Sequence, residues 1–202
     1  MSFSLTTPVL SYGAVSVRII RVSDARKLHE LLKNNRVWLE RWEASLPGYY
    51  TQAPTLKQLR SSIRSLLKGA RNGTGAPFVM LFQDEVVGQL SVSDIAWGAI
   101  QSGQIGYWIA EGHSGKNITP TAVALVTDHM LKKGGLHRIE ICLRPENNAS
   151  RRVVEKLRFR YEGRRERYIF IDGDWRDHDC YAVTSEEIGA GVLERLKQGI
   201  LR

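Results

Sequence analysis

Apolar residues recur along the N-terminal third of the chain at two spacings, which separate predicted strands from predicted helices. Residues 15–21 alternate apolar and polar positions and predict a strand. Ser23 and Asp24 then offer a cap for a helix that ends near Asn34, and a second short helix is predicted over 37–42. A longer helix is predicted over 56–67 because five of its apolar residues share one face: Leu56, Leu59, Ile63, Leu66 and Leu67.

The remaining pattern predicts three consecutive strands and then alternating helices and strands. The three strands cover 77–82, 86–95 and 100–109 and form an antiparallel meander. The later predicted elements are a helix over 118–133 closed by Gly134 and Gly135, a strand over 138–143, a helix over 147–157, strands over 161–171 and 179–183, and a last helix capped by Thr184 or Ser185.

This order of elements predicts an α+β protein with one mixed central sheet flanked by helices. The early strands run antiparallel, and a strand–helix–strand crossover then adds a parallel pair. We find no internal repeat and no linker, so residues 1–202 are expected to form a single domain.

Composition restricts the class of protein and the kind of partner. Hydrophobic residues make up 43% of the chain and charged residues 25%, which excludes a disordered chain. No apolar run reaches the roughly 18–20 residues of a membrane span, the N-terminus lacks a signal-peptide layout, and two cysteines are too few for a disulfide scaffold. A cytoplasmic protein with buried, reduced thiols is therefore expected. The net charge of +8 favours an anionic partner: nucleic acid, the ribosome or a phosphorylated cofactor.

The segment over 106–120 joins a predicted strand to a predicted helix through a turn rich in small residues. Free N–H groups and the positive end of the dipole make a helix start suited to phosphate. Gly112 and Gly115 let the backbone approach an anion, Lys116 adds a charge, and Asn117 is a good cap. Pro120 lies in the first helical turn, where a missing N–H does no harm. The alternative is an ordinary strand–helix turn, which is common.

This turn and several later segments resemble the GNAT acetyltransferases, whose motif is Gln/Arg-x-x-Gly-x-Gly/Ala. In residues 112–117, Gly115 matches it, while Gly112 and Asn117 depart from it. The stretches over 135–140, 144–150 and 154–163 resemble the family's strand–Asn-x-x-Ser–helix–Leu-Gly-Phe-x-x-Glu-Gly pattern, with Arg158 in place of glycine. Residues 172–178 and 38–42 are similar to the RimJ/RimL branch, which acetylates N-terminal residues of ribosomal proteins. The resemblance covers roughly residues 15–183.

The resemblance implies the acyl-CoA N-acyltransferase fold and direct transfer of an acetyl group from acetyl-CoA to an amine. It implies that the turn binds the pyrophosphate, that the end of the strand offers an N–H to the thioester oxygen, that Asn147 contacts the cofactor and that Ser150 is a proton donor. For Asn147 and Ser150, a simple helix cap is the alternative. The residues implied at the cofactor are Trp108, Ile109, Ala110, Gly112, His113, Ser114, Gly115, Lys116, Asn117, Ile118, Asn147 and Ser150.

The sequence offers several candidates for the general base and for the acceptor pocket. Glu40 and Glu43 are the candidate bases, Asp94 is a further one, and a solvated role is the alternative for each. An N-terminal amine has a pKa near 8, so a strong base is not required. Four aromatic residues are candidates for the pocket wall or for the core: Trp38, Trp42, Tyr49 and Tyr50.

Other reactive or charged residues carry weaker indications. The histidines show no metal-ligand spacing, so no metal is expected. Cys142 lacks partners for a nucleophile, and a buried strand thiol is the better interpretation. Five arginines could meet the cofactor's 3′-phosphate, ribosomal RNA or an acidic peptide, although a solvated face is favoured: Arg158, Arg160, Arg164, Arg165 and Arg167.

Three functional hypotheses follow. The first is an acetyltransferase acting on the N-terminal α-amino group of a ribosomal protein, with the ribosome as a further partner. The second is acetylation of a small-molecule amine, which an acidic acceptor pocket would favour. The third is a non-catalytic GNAT-fold module that binds RNA or the ribosome, although direct nucleic-acid binding is not favoured. The natural acceptor is left open, as is the choice between monomer and homodimer.

Overall fold

Eight strands form one sheet in the computed structural model, which describes residues 7–48 and 52–200. The spatial order of the strands is β1-β2-β3-β4-β5-β6-β8-β7. All neighbouring pairs are antiparallel except the parallel pair β5–β6. The strands are β1 (Leu10–Tyr12), β2 (Val15–Ile19), β3 (Ala76–Phe82), β4 (Glu85–Ala96), β5 (Ser102–Ile109), β6 (Arg138–Leu143), β7 (Arg160–Ile171) and β8 (Asp174–Thr184).

In the described part of the chain, six α-helices cover the two faces of this sheet. They are α1 (Ala25–Asn34), α2 (Arg36–Leu39), α3 (Leu56–Arg71), α4 (Ile118–Lys132), α5 (Asn148–Lys156) and α6 (Val192–Ile200). Among the described residues, none of the helices combines the length and the apolar character that crossing a bilayer requires. The predicted α+β class, with a mixed sheet between helices, is confirmed.

β3 shows why the sheet carries helices on both faces. Its side chains are buried almost throughout, so neither face can be left to solvent. Phe78 and Met80 belong to a hydrophobic cluster with α4, α5 and α6. Val79 and Leu81 belong to a second cluster with α1, α2 and α3. The alternation of strand side chains thus separates two cores.

The two longest helices, α3 and α4, differ in how much of their surface is buried. α4 is buried on nearly every side because strands, α5 and α6 surround it. α3 is amphipathic: Leu59, Ile63 and Ala70 are buried, and the opposite side is exposed. Thr55 caps α3, and its Oγ1 accepts the Gln58 N–H over 3.3 Å.

Two features of the termini differ from the sequence-based expectations. β1 pairs with β2 over three residues and was not predicted, because three residues carry no measurable alternation. The prediction that Thr184 or Ser185 caps the last helix is wrong, since α6 begins at Val192. The Asp128 carboxylate of α4 accepts the Val192 N–H over 2.7 Å, so the cap comes from a distant helix.

The sheet opens between β5 and β6, where the parallel pair is short. Pairing begins at Ser102 with Arg138 and ends at Gln104 with Glu140. Beyond Gln104, β5 continues beside β4 alone, while β6 continues beside β8. The two halves of the sheet therefore diverge and leave a split that faces the start of α4.

Candidate active site

A cavity of about 600 Å³ occupies the split between β5 and β6. Its walls come from the end of β5, the turn before α4, the start of α5 and the segment around α2. Nine of the residues predicted at the cofactor line it: Trp108, Ile109, His113, Ser114, Gly115, Asn117, Ile118, Asn147 and Ser150. Ala110, Gly112 and Lys116 do not line it, and Lys116 is exposed.

The end of β5 presents one backbone N–H, that of Ile109, to the cavity. Ala110 donates its N–H to the Val87 carbonyl over 3.0 Å, and Ile109 lies opposite Gly88. Successive strand residues direct their N–H groups to opposite sides, so the Ile109 N–H faces away from β4 and toward the split. The Ile109 carbonyl accepts the indole N–H of Trp38 over 3.1 Å, which fixes this end of the strand.

The turn before α4 exposes a run of free N–H groups. Within the described residues, no backbone N–H from 115 through 119 has a hydrogen-bond acceptor. Gly115 and Asn117 have φ values of 79° and 58°, so the backbone curls around a concave surface. The helix dipole adds positive potential at the same point. The arrangement suits a phosphate group.

Asn117 does not cap α4 with its side chain, and the prediction that it does is wrong. Its left-handed backbone turns the amide group away from the helix start. The Asn117 Oδ1 instead accepts the Lys156 ammonium of α5 over 2.6 Å. The α4 N–H groups are consequently left free for a ligand.

Asn147 and Ser150 lie together at the start of α5. The Asn147 Oδ1 accepts the Ser150 N–H over 3.0 Å, which is the geometry of a helix cap. Both residues line the cavity, so the cap and a role at the ligand coexist. The cap holds the Ser150 backbone in place, and the proposed role of its hydroxyl stays a prediction.

Tyr107, which the sequence did not single out, brings a buried phenol to the same wall. Burial raises the pKa of Tyr107 to about 12, against an opposing effect of the Ser150 hydroxyl. The pair lacks full hydrogen-bond geometry, and the Tyr107 hydroxyl has no other partner among the described residues. A buried, unpaired hydroxyl is costly, so this group is suited to a ligand atom.

Two further cations line the cavity from α5, and both were missed. Arg152 and Lys156 follow Asn148 at intervals of four, which places the three residues on one helix face. That spacing is visible in the sequence, but only the orientation of α5 shows which face meets the cavity.

The aromatic wall is partly as predicted. Trp38 and Trp42 line the cavity, and the Arg41 and Arg144 guanidinium groups lie 4.6 and 5.4 Å from the Trp42 ring. The predicted role of Tyr49 and Tyr50 falls outside the described residues.

The candidate bases lie beside this wall rather than in it. Glu43 is paired with the Arg36 guanidinium at 2.5 Å, and Glu40 approaches the same group at 3.8 Å. Neither they nor Asp94 line the cavity. The assignment of a base among them stays a prediction.

The arginines near the end of the chain are largely neutralised. Arg164 pairs with Asp179 at 2.8 Å, and Arg165 with Glu140 at 2.9 Å. Arg160 pairs with Glu162 at 2.8 Å and also with Glu187. None of these arginines lines the cavity.

Cys142 is half-buried rather than buried, and its sulfur lies 2.9 Å from that of Cys180. Burial raises the pKa of Cys142, which disfavours a nucleophilic thiolate. Glu140 completes a group of three potential metal ligands within 4.8 Å. Its carboxylate already pairs with Arg165 and Arg138, so the absence of a metal stays the prediction.

The sequence of the chain is similar to those of known acetyltransferases. Residues 15–160 match the family model described as acetyltransferase (GNAT) domain. The chain is 32% identical over 180 residues to the probable N-acetyltransferase YjcK of Bacillus subtilis (strain 168), covering 89% of this chain and 98% of that protein. It is 27% identical over 180 residues to the ribosomal protein uS5-alanine N-acetyltransferase of Escherichia coli (strain K12), covering 88% and 91%.

A solved structure has a similar fold. Mycobacterium smegmatis RimJ in complex with CoA-disulfide superposes with a TM-score of 0.89 at 35% identity, covering 95% of this chain and 92% of that one. The arrangement of strands and helices predicted from the sequence is therefore shared with a solved protein.

Proposed function

The chain belongs to the GNAT acetyltransferase family, and on this basis we propose that it acetylates the N-terminal α-amino group of a ribosomal protein. The family membership makes it an N-acetyltransferase that uses acetyl-CoA as co-substrate. The observation that carries the acceptor class is the 27% identity, over 88% of this chain, to the ribosomal protein uS5-alanine N-acetyltransferase of Escherichia coli (strain K12).

The residues of the cavity fit acetyl-CoA. The free N–H groups over 115–119 are suited to its pyrophosphate, with the Lys156 ammonium nearby. The unpaired Tyr107 hydroxyl and the Ile109 N–H supply donors deeper in the split. When bound, acetyl-CoA supplies an activated acetyl thioester.

Catalysis in this proposal rests on placement and polarisation. The Ile109 N–H would donate to the thioester oxygen, where negative charge would develop as the amine attacks. The Ser150 hydroxyl, which lies near Tyr107, would give a proton to the departing sulfur and would regain one, through Tyr107 or water, from the acceptor amine. The Ile109 N–H is fixed before the reaction by the β4 pairing, and the Asn147 cap fixes the backbone that carries the Ser150 hydroxyl.

The acceptor loses a proton before or during its attack. An α-amine with a pKa near 8 is partly neutral at physiological pH, so water suffices as the first proton acceptor. Glu40 and Glu43 flank the cleft residues Arg41 and Trp42 in sequence and remain the candidates for a base that acts through water.

The charges around the cleft favour a peptide over a cationic small amine. The cavity is lined by three cations, Arg41, Arg152 and Lys156, and by two carboxylates, Glu111 and Glu146. A pocket that selects a polyamine or an aminoglycoside needs an excess of carboxylates. The mixed lining supports the first acceptor class. Because ribosomal proteins are made in the cytoplasm, we place the enzyme there, as a single domain.

The test is acetylation of short peptides copied from ribosomal-protein N-termini that start with alanine, serine or methionine, followed by mass spectrometry. The matched controls are the same peptides with a blocked N-terminus and an internal lysine. We expect a single acetyl group on the free α-amine and none on the lysine. Faster acetylation of spermidine or an aminoglycoside than of every peptide contradicts the proposed acceptor.

A further inference from the structure

The exposed side of α3 carries a row of cations with no carboxylate among them. The five residues are Lys57, Arg60, Arg64, Lys68 and Arg71, and all are exposed. We call them the α3 basic stripe. At 3.6 residues per turn they fall within an arc of about 80° and extend over about 21 Å. Their spacings of three and four place each next to the following one.

The α3 basic stripe is uncompensated, unlike three of the four arginines of β7. In the described residues, no stripe cation takes part in an ion pair or a side-chain hydrogen bond. Residues 1–6, 49–51 and 201–202 contain no Asp or Glu that could supply one. α3 itself contributes five positive charges to a chain whose net charge is +8. By contrast, Arg160, Arg164 and Arg165 all pair with carboxylates.

Five like charges on one helix face repel one another, and that cost is relieved when a polyanion binds. We propose that the α3 basic stripe is a binding surface for the phosphate backbone of RNA. The choice of RNA among polyanions rests on the proposed function, because a ribosomal protein is presented in an RNA-rich environment.

The chemistry of the stripe agrees with contacts to backbone phosphates. Arginine forks bind phosphate oxygens in pairs, and lysines add point charges. No aromatic residue occurs in α3, so the helix offers no surface on which bases stack. The binding is therefore expected to be independent of base sequence and strongly dependent on salt.

A lipid surface fits α3 less well. Its apolar residues Leu59, Ile63 and Ala70 are buried in the protein interior, and Leu56 and Leu67 pack partly buried against the same cluster, so α3 has no free apolar face to insert into a bilayer. Stable anchoring of a polybasic segment to a membrane needs a second, apolar signal. Leu66, at 37% exposure, lies about 160° around the helix from the middle of the stripe and does not provide it.

The position of α3 leaves the cleft accessible when the stripe is occupied. The buried side of α3 shares a hydrophobic cluster with Trp38 and Trp108, two residues of the cavity wall. The stripe lies on the other, solvent-facing side of the helix. RNA bound there would hold the enzyme next to its acceptor and would not block the split.

The test compares two variants that lose the same charge. The stripe variant carries Arg60→Gln, Arg64→Gln and Lys68→Gln. The control variant carries Lys133→Gln, Arg158→Gln and Arg167→Gln, three exposed cations outside α3 that form no side-chain ion pair among the described residues. Binding to a fluorescein-labelled RNA duplex of arbitrary sequence is followed by anisotropy between about 50 and 200 mM salt. Melting temperatures no lower than that of the unchanged protein establish that both variants are folded.

We expect the stripe variant to bind the duplex more than tenfold more weakly, and its log–log salt slope to fall by about 2–3. The control variant should retain most of the affinity of the unchanged protein. Equal losses in the two variants, or no binding of the duplex by the unchanged protein, overturn the proposal. Stripe-dependent binding to phosphatidylserine vesicles without binding to RNA also overturns it.

Acetylation of the free peptides separates this inference from the proposed function, since a free peptide does not need the stripe. The stripe variant should acetylate peptides at the rate of the unchanged protein. Normal peptide acetylation with no difference in RNA binding refutes the RNA surface alone. Stripe-dependent RNA binding without any peptide acetylation refutes the acceptor assignment alone.

Discussion

At the scale of single residues, Arg158 shows how a departure from a family pattern affects stability. It follows α5 with a φ of 54°, and its N–H donates to the Glu155 carbonyl over 3.0 Å. A side chain in this left-handed region costs about 1–2 kcal/mol, which glycine avoids. The glycine usual in the GNAT pattern at this point therefore has a conformational reason.

Arg158→Gly should raise the free energy of unfolding by about 0.5–1 kcal/mol, because part of the relief is offset by the greater freedom of glycine in the unfolded chain. Denaturant unfolding measures the change. Arg158→Ala is the matched control: it removes the same charge but keeps a Cβ, so it should give no gain. A gain of equal size for alanine would mean that charge, not backbone conformation, is responsible.

Ser150 and Tyr107 give a second prediction at this scale. Ser150→Ala should lower kcat for a peptide acceptor by about 100-fold, with little change in the Kd of acetyl-CoA. If the two hydroxyls act as one unit, adding Tyr107→Phe should cost little more than either change alone. Strictly multiplicative losses would show that they act separately.

The pH profile gives an independent reading of Tyr107. Its pKa of about 12 keeps the phenol protonated throughout the usual assay range, because burial disfavours the charged phenolate. kcat/KM should rise with pH as the acceptor amine, with a pKa near 8, loses its proton, and then remain level to about pH 10. A decline between about pH 8 and 10 would contradict a neutral Tyr107 donor.

At the scale of elements, the turn before α4 depends on one glycine more than on the other. Gly115 has a φ of 79°, whereas Gly112 has an ordinary backbone, and a Cβ at Gly112 would meet only open space. Gly115→Ala should weaken acetyl-CoA binding at least tenfold, because the N–H groups over 115–119 lose their shared direction. Gly112→Ala should leave binding nearly unchanged. Isothermal titration with acetyl-CoA measures both, and equal Kd values would contradict the assignment.

The elements that the sequence predicts best are those whose pattern is local. The helical spacing of apolar residues in α3 and the antiparallel meander β3–β5 depend only on residues that are close in sequence. The structure contains both, as predicted. The start of α6 was missed because its cap, Asp128, is 64 residues away. The role of Asn117 was mistaken for a similar reason, since its partner Lys156 lies on another helix.

The residues of the candidate site also separate into those that a local motif predicts and those that depend on distant packing. Loop and strand residues that a family motif marks, such as Gly115 and Asn147, do line the cavity. Arg152, Lys156 and Tyr107 were missed because the sequence cannot tell which side of a helix or strand meets the split. Packing of α5 against α4 and the divergence of β5 from β6 decide that orientation.

At the scale of the whole molecule, binding of acetyl-CoA should stabilise the folded chain. A ligand that binds only the native state adds about 2.7 kcal/mol at 100 times its Kd. For a chain of this size that corresponds to a rise in Tm of about 5–10 °C. Differential scanning fluorimetry measures it, and adenosine monophosphate is the control, with a much smaller shift expected. No shift at millimolar acetyl-CoA would mean that the turn does not bind the cofactor.

The two edge strands of the sheet, β1 and β7, determine how readily the protein self-associates at high concentration. An edge strand offers unpaired backbone groups to which a second chain can add, which is how sheet proteins aggregate. β1 limits that hazard by its length of three residues. β7 is twelve residues long, but its register shifts twice and its outer positions are mostly charged, with Arg160, Glu162, Arg164 and Arg165 among them. Ala44 and Ser45 cover the end of β7 at Phe170 and Ile171, and the ion pairs of β7 thus protect the rest of this edge against self-association.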